Sequence, residues 1–193
     1  MSGRFLGTGP VREAHRFDAA ALEAYMRAHI DDFVGPLTVE QFKGGQSNPT
    51  FLLKTPARAY VLRRKPPGAL LPSAHAIDRE YRVISALRGG PVPVADAYAL
   101  CEDESVIGAS FYVMSHIEGR VLWDAQLSGL GSTERAAHFD AMNRVIADLH
   151  SVDYRAVGLA DFGKPGNFFA RQIARWTAQY RASETVRMNR WSG

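Results

Sequence analysis

Residues 37–65 read LTVEQFKGGQSNPTFLLKTPARAYVLRRK, and this stretch decides the fold. It holds three short runs suited to strands: Leu37 to Lys43, Thr50 to Thr55 and Ala59 to Lys65. A Gly-containing loop separates the first two runs, and the turn at 56–58 separates the last two. Because these connections are too short to hold crossover helices, the stretch predicts an antiparallel meander.

Further elements flank the meander on both sides. Asp18 is suited to cap a helix that runs to about Phe33, and Ala76 to Leu87 carries apolar residues at helical spacing. Two more strand candidates follow, Val94 to Cys101 and Ser110 to Ile117. The meander, the second helix and these strands together predict an antiparallel sheet of about five strands with a helix beside it.

After the last strand the pattern is only helical. Ser132 to about Leu149 and Phe168 to Tyr180 predict two helices. Strands and helices are thus segregated, which is typical of an α+β fold and not of alternating βαβ units. We expect a mobile lead-in over residues 1–17, a sheet-containing domain with an N-terminal helix over 18–117, and the start of a helical domain over 118–193.

Composition excludes several classes of protein. With 46% hydrophobic and 22% charged residues, the chain has enough apolar side chains for a core, so wholesale disorder is excluded. The single cysteine, Cys101, excludes an internal disulfide framework and fits a reducing compartment. No apolar stretch approaches the roughly 20 residues that span a bilayer, and no signal peptide is evident. These features predict a cytoplasmic protein with no membrane partner.

The charge balance bears on the kind of ligand. The net charge is only +3, and the basic residues bunch at 63–65 and between 171 and 190. An anionic small ligand fits this balance at least as well as a nucleic acid, which usually needs a denser basic stripe, so we expect no nucleic-acid partner. The alternative is nucleic-acid binding through the C-terminal segment that contains Arg171, Arg175, Trp176, Arg181, Arg187, Arg190 and Trp191.

The order of elements places a candidate phosphate site on the third strand. A Gly-containing turn lets backbone N–H groups approach phosphates, a strand cation holds the phosphate oxygens, and a helix carboxylate holds the cation, as in the N-terminal lobe of protein kinases. Arg63 is the candidate cation and Glu80 the candidate carboxylate. The alternative is a surface cation and a solvated acid. Strand alternation points Arg64 away from Arg63, and we expect it to face solvent.

Five segments, taken in order, resemble the phosphotransferase family that contains the aminoglycoside phosphotransferases, and most of all its kinase-like branch related to acyl-CoA-dehydrogenase-associated proteins. They are GGQSNPTF at 44–51, YVLRRKPPG at 60–68, REYRV at 79–83, FYVMSHIEG at 111–119 and ADLHSVD at 147–153. The main departure is an arginine, Arg63, where the family usually has a lysine.

The resemblance implies a kinase-like fold and phosphoryl transfer from ATP, with Mg²⁺, to a hydroxyl group of a small molecule. By the same resemblance the backbone of residues 115–117 contacts adenine, Met114 lies at the back of the pocket, and the loop 44–48 covers the phosphates. The implied nucleotide-binding residues are Gly44, Gly45, Gln46, Ser47, Asn48, Arg63, Glu80, Met114, Ser115, His116 and Ile117. The acceptor molecule is not identified by the sequence.

The family also implies a catalytic His-Gly-Asp loop, an Asn five residues after its Asp, and a later metal-binding Asp. The sequence contains no His-Gly-Asp, so we expect the catalytic loop and the Mg²⁺ ligands beyond Gly193 and nominate no catalytic or metal residue within the chain. Asp161-Phe162-Gly163 imitates the kinase metal triplet, but it follows Asp153 by only eight residues and position 158 is glycine. We interpret it as a polar turn.

One further alternative stays open at this point. If 193 residues is the natural length, the phosphorylation machinery is missing and a non-catalytic nucleotide-binding or scaffold protein is the better interpretation. Apolar surface would then need a cover, and self-association is one way to supply it.

Overall fold

The computed structural model describes residues 6–44, 48–66, 76–163 and 166–183. Of the predicted site residues, Gly45, Gln46 and Ser47 lie outside the described residues, as does the basic end of the chain after Ser183. The chain divides into two compact units, Met1–Asp153 and Tyr154–Gly193, and each is described by itself. The domain boundary that the sequence places at residue 117 stays a prediction.

The first unit is built on one antiparallel sheet with the strand order β1-β2-β3-β4-β6-β5. Its strands are β1 Thr8–Gly9, β2 Thr38–Phe42, β3 Thr50–Lys54, β4 Ala59–Arg64, β5 Ala97–Cys101 and β6 Phe111–Ser115. The predicted α+β class, the meander and the two later strands are confirmed. Over the described residues the sheet has six strands, where the sequence predicts about five.

The extra strand comes from the predicted lead-in. Thr8 pairs with Phe42 at the edge of the sheet, the Arg12 N–H donates to Gln41 Oε1 at 3.0 Å, and Phe17 packs its ring edge-on against Phe51 at 5.1 Å. A two-residue strand carries no periodicity, and its pairing partner lies some thirty residues away. Local pattern could not reveal it.

Helix α1 (Ala19–His29) covers one face of the sheet. The Asp18 carboxylate caps it, as predicted, by accepting from the Ala20 and Ala21 N–H groups. Leu22 and Met26 are fully buried in a core that they share with the sheet residues Phe51, Leu53, Tyr60, Leu62, Phe111 and Val113. The helix ends at His29, earlier than the predicted Phe33, because Ile30 already has extended backbone.

Arg64 corrects one expectation. Alternation does point it away from Arg63, but that face of the sheet is covered by α1 and the lead-in, so the side chain is only 4% exposed. Its guanidinium lies over the Phe17 ring at 5.4 Å, and Nη1 donates to the Ile107 carbonyl at 3.3 Å. Burial lowers the pKa of Arg64 from its ordinary value. The prediction of a solvent-facing side chain is therefore wrong.

Helix α2 (Ile77–Leu87) contacts β5 and β6, and α3 (Ser132–Ser151) follows the sheet. Several apolar side chains of α3 are exposed, including Phe139, Met142 and Ile146. In the second unit, α4 (Phe168–Ser183) exposes its aromatic residues as well as its arginines. Among the described helices, none is long and apolar enough to cross a membrane.

The Tyr25 phenol generates a prediction about alkaline stability. Its hydroxyl donates to the Leu100 carbonyl at 3.0 Å, and burial, aided by neighbouring Cys101, raises its pKa to about 12. An unfolded phenol ionises near pH 10, so between about pH 10 and pH 12 the unfolded state binds fewer protons and stability falls as pH rises. Tyr25→Phe should make the fall of the unfolding free energy with pH shallower, by a slope that corresponds to at most one proton. Urea unfolding across that pH range measures the slope. Equal slopes in both proteins would contradict the assignment.

Candidate functional site

The face of the sheet opposite α1 carries a hydrogen-bonded cluster centred on Glu80. Glu80 lies in the first turn of α2, Arg63 on β4, and Tyr112 directly opposite Arg63 on β6. Asn48 lies two residues before Thr50, the first residue of β3. The sheet register and the helix start therefore bring four residues, far apart in sequence, to one point.

Glu80 accepts four hydrogen bonds, two on each oxygen. Oε2 accepts from Arg63 Nε at 2.8 Å and from the Tyr112 hydroxyl at 3.1 Å. Oε1 accepts from Arg63 Nη2 at 3.2 Å and from Asn48 Nδ2 at 3.0 Å. Each oxygen thus has one cationic and one neutral donor, and the Arg63 contact is the bidentate fork typical of strong guanidinium–carboxylate pairs.

The electrostatics of the cluster favour a charged arginine and a neutral tyrosine. The Arg63 side chain is 29% exposed and that of Glu80 35%. Burial disfavours the Arg63 charge, but the Glu80 carboxylate outweighs it, so the pKa of Arg63 lies above its ordinary value. Burial and the Glu80 charge raise the pKa of Tyr112 above its ordinary value. Tyr112 therefore stays a hydrogen-bond donor throughout the neutral pH range.

Arg63 also contacts a residue that lines a cavity. Its Nη1 donates to Thr50 Oγ1 at 3.4 Å, and Thr50 lines a cavity of about 1010 Å³. The other lining residues are Leu6, Gly7, Phe42, Gly44, Val61, Ala95, Met114, Ser115, His116, Ile117, Glu118, Gly119, Arg120, Val121, Leu122 and Trp123. Most of these present apolar surface, and the lining includes Ser115 at the end of β6 and the two residues that follow it. Such a cavity is suited to a flat, apolar ligand with a polar edge.

The structure brings most of the predicted site residues together. Gly44, Met114, Ser115, His116 and Ile117 line the cavity. Arg63 and Glu80 form the predicted pair beside it. The Asn48 side chain is 4% exposed and contacts Glu80.

Sequence reasoning missed several residues of the site: Thr50, Val61, Ala95 and Tyr112. Strand alternation could have found two of them, because Val61 shares a face with Arg63 and Tyr112 shares a face with Met114. Thr50 lies in β3 directly opposite Arg63, so the register of the predicted meander could have found it too, whereas Ala95 lies outside the strands and carries no such signal.

The kinase-like triplet at 161–163 lies in the second unit, in a turn where the Phe162 N–H donates to the Leu159 carbonyl at 3.0 Å. Among the described residues, no three His, Cys, Asp or Glu side chains lie close enough together to hold a metal ion.

Comparison with known proteins gives consistent matches. The model of the phosphotransferase enzyme family matches residues 38–191. A crystal structure from Ralstonia eutropha, assigned as an aminoglycoside phosphotransferase, is 61% identical with a TM-score of 0.76, over 89% of this chain and 49% of that one. Acyl-CoA dehydrogenase family members 11 and 10 of Mus musculus are each 46% identical, over 91% and 92% of this chain.

Those relatives are longer than this chain. It spans about half the length of the solved structure, and 23% and 17% of the two mouse proteins.

The Arg63–Glu80 pair generates a prediction about stability. Glu80→Gln leaves the Arg63 cation half-buried without a counter-charge, so the free energy of unfolding should fall by about 2 kcal/mol, less than for a fully buried pair because both side chains are partly solvated. Urea unfolding of Glu80→Gln and of the double variant Arg63→Met/Glu80→Gln measures this. The double variant should recover part of the loss, and a double variant no better than Glu80→Gln would contradict the explanation.

Proposed function

Because the chain belongs to the phosphotransferase enzyme family, we propose that it binds ATP and takes part in transfer of the γ-phosphoryl group to a hydroxyl of a small molecule. The observation that carries this proposal is the position of the Arg63–Glu80 pair beside an apolar cavity lined by residues 114–117. In this arrangement the adenine base of ATP would occupy the cavity, and its phosphates would contact Arg63.

The adenine ring fits between the apolar walls. Val61 and Met114 are paired across β4 and β6 and both line the cavity, so they form a surface of two adjacent side chains against which a ring can stack. The Ser115 N–H already donates to the Asp96 carbonyl at 2.8 Å. The donor toward the purine edge is therefore expected at His116 or Ile117.

The phosphates fit at Arg63. A guanidinium has five N–H groups, and the bonds to Glu80 and Thr50 use three of those on Arg63. Each terminal nitrogen carries a second N–H group, and a guanidinium fork suits two phosphate oxygens. Gly44 lies on the same cavity wall as Thr50 and leaves the backbone accessible there.

Chemistry at this site would depend on placing the phosphates and on opposing their charge, with no covalent enzyme intermediate. The family uses Mg²⁺, which when bound neutralises phosphate charge. The described residues offer no cluster that fits the ion, so we assign it no ligand here. No general base is assigned either; the residues of this chain hold and orient the nucleotide. No acceptor site is assigned among the described residues.

Arg63→Ala tests the phosphate contact. In the full-length protein we expect ATP affinity, measured by calorimetry with Mg²⁺ present, to fall about 10- to 100-fold, the worth of hydrogen bonds to a charged group. Arg63→Lys should retain part of the affinity because the charge remains. Adenosine, which has no phosphate, should bind all three proteins equally. Equal ATP affinity in Arg63→Ala and wild type would refute the role, and ATP binding without turnover would favour a non-catalytic nucleotide-binding protein.

Ala95→Leu tests the base site independently. The larger side chain would fill cavity space beside residues 115–117, and overfilling of this kind costs about 1–3 kcal/mol, so both ATP and adenosine should bind about tenfold or more weakly. Ala95→Gly is the matched control and should change neither affinity by more than about twofold. A leucine variant that loses ATP but keeps adenosine would place the base elsewhere.

A further inference from the structure

We infer that Tyr112 and Asn48 are positioning residues, which act through Glu80 to hold Arg63 in the orientation in which its Nη1 contacts Thr50 at the cavity wall. The inference rests on the proposed function for its link to phosphate. The observation behind it is that two neutral donors, Tyr112 and Asn48, both hydrogen-bond to the Glu80 carboxylate.

The position of Tyr112 in the sheet brings its hydroxyl within reach of Glu80. It pairs with Arg63 across β4 and β6, is 1% exposed, and packs its ring edge-on against Tyr81 of α2 at 6.0 Å. The ring is therefore fixed by packing, and its hydroxyl is delivered to Glu80 Oε2. A buried phenol usually needs a partner, and this one has a carboxylate.

Asn48 supplies the second neutral donor from another direction. Its side chain is 4% exposed and donates to Glu80 Oε1, while its backbone carbonyl accepts from Thr50 Oγ1 at 3.1 Å. The same Thr50 hydroxyl accepts from Arg63 Nη1. Asn48 is thus joined to both members of the ion pair, and we assign it this role in place of direct contact with nucleotide.

The two neutral donors matter because an ion pair alone does not fix geometry. Glu80 and Arg63 are both partly exposed, so water can compete for either side chain. With one extra donor on each oxygen, rotation of the carboxylate breaks two more hydrogen bonds. A fixed carboxylate keeps Nε and Nη2 of Arg63 on Glu80 and leaves Nη1 on Thr50, which lines the cavity.

Tyr112→Phe in the full-length protein tests this, because it removes the hydroxyl and keeps the ring. We expect ATP to bind about tenfold more weakly, with KM raised more than kcat is lowered, and adenosine to bind unchanged. Tyr81→Phe is the matched control: it removes a phenolic hydroxyl from the neighbouring ring and should shift ATP affinity less than twofold. Asn48→Ala should resemble Tyr112→Phe, and Asn48→Asp should be worse because a second carboxylate would repel Glu80.

A double-mutant cycle distinguishes action through Glu80 from a general packing effect. In the Glu80→Gln background, Tyr112→Phe should lower ATP affinity less than twofold further. A tenfold loss that persists in that background would overturn the inference, as would a Tyr112→Phe protein that binds ATP like wild type while Glu80→Gln does not.

The same cycle can be read without nucleotide. Tyr112→Phe should lower the melting temperature by about 3 °C in the wild-type background and by much less in Glu80→Gln. If wild-type protein did not bind ATP, the proposed function would fail, and this thermal cycle would still decide the matter: coupling supports the placement of Tyr112 on Glu80, and additive shifts overturn it.

Discussion

The ion pair between Arg63 and Glu80 joins the sheet to α2 by charge, and the arrangement of the site depends on it. Arg63 lies on β4 and Glu80 on α2, so the position of each side chain depends on how the two elements pack together. Glu80 stands in the first turn of α2, where the helix dipole also favours an acid. Fixing α2 against β4 and β6 in this way places Arg63 beside the cavity wall.

The two faces of the sheet differ in what covers them. One face is covered by α1 and is dry, with Leu22, Met26 and the sheet aromatics excluding water. The other face stays open around a cavity and keeps its polar groups hydrogen-bonded to each other. Alternation along β4 delivers residues to both: Leu62 enters the core, and Arg63 enters the site. The rigid side supports precise geometry on the open side.

The features that depend on local sequence pattern could be predicted from the sequence. The cap at Asp18 and the meander follow from residue types at fixed spacing, and the pairing of Arg63 with Glu80 follows from the likeness of the element order to a kinase N-terminal lobe. Sequence reasoning failed for Arg64, because alternation gives the face of a strand but not what covers that face. It also missed Tyr112: alternation gives the face that Tyr112 shares with Met114, but not that β6 lies next to β4 and so places Tyr112 beside Arg63. Strand order is a property of tertiary packing, and no window of sequence contains it.

Arginine in the place where the family usually has lysine explains why the site needs so many donors. A lysine ammonium is a point charge that contacts a carboxylate from any side, so the carboxylate orientation is of little consequence. A guanidinium is planar, so the direction in which it meets the carboxylate also sets the direction of its other N–H groups. The orientation of Glu80 then decides where the Nη groups of Arg63 face, and a tilt of the carboxylate would turn them away from Thr50. The hydrogen bonds from Tyr112 and Asn48 restrict rotation of the Glu80 carboxylate and so keep the Arg63 guanidinium in one orientation. A lysine ammonium at this position would not depend on that restriction.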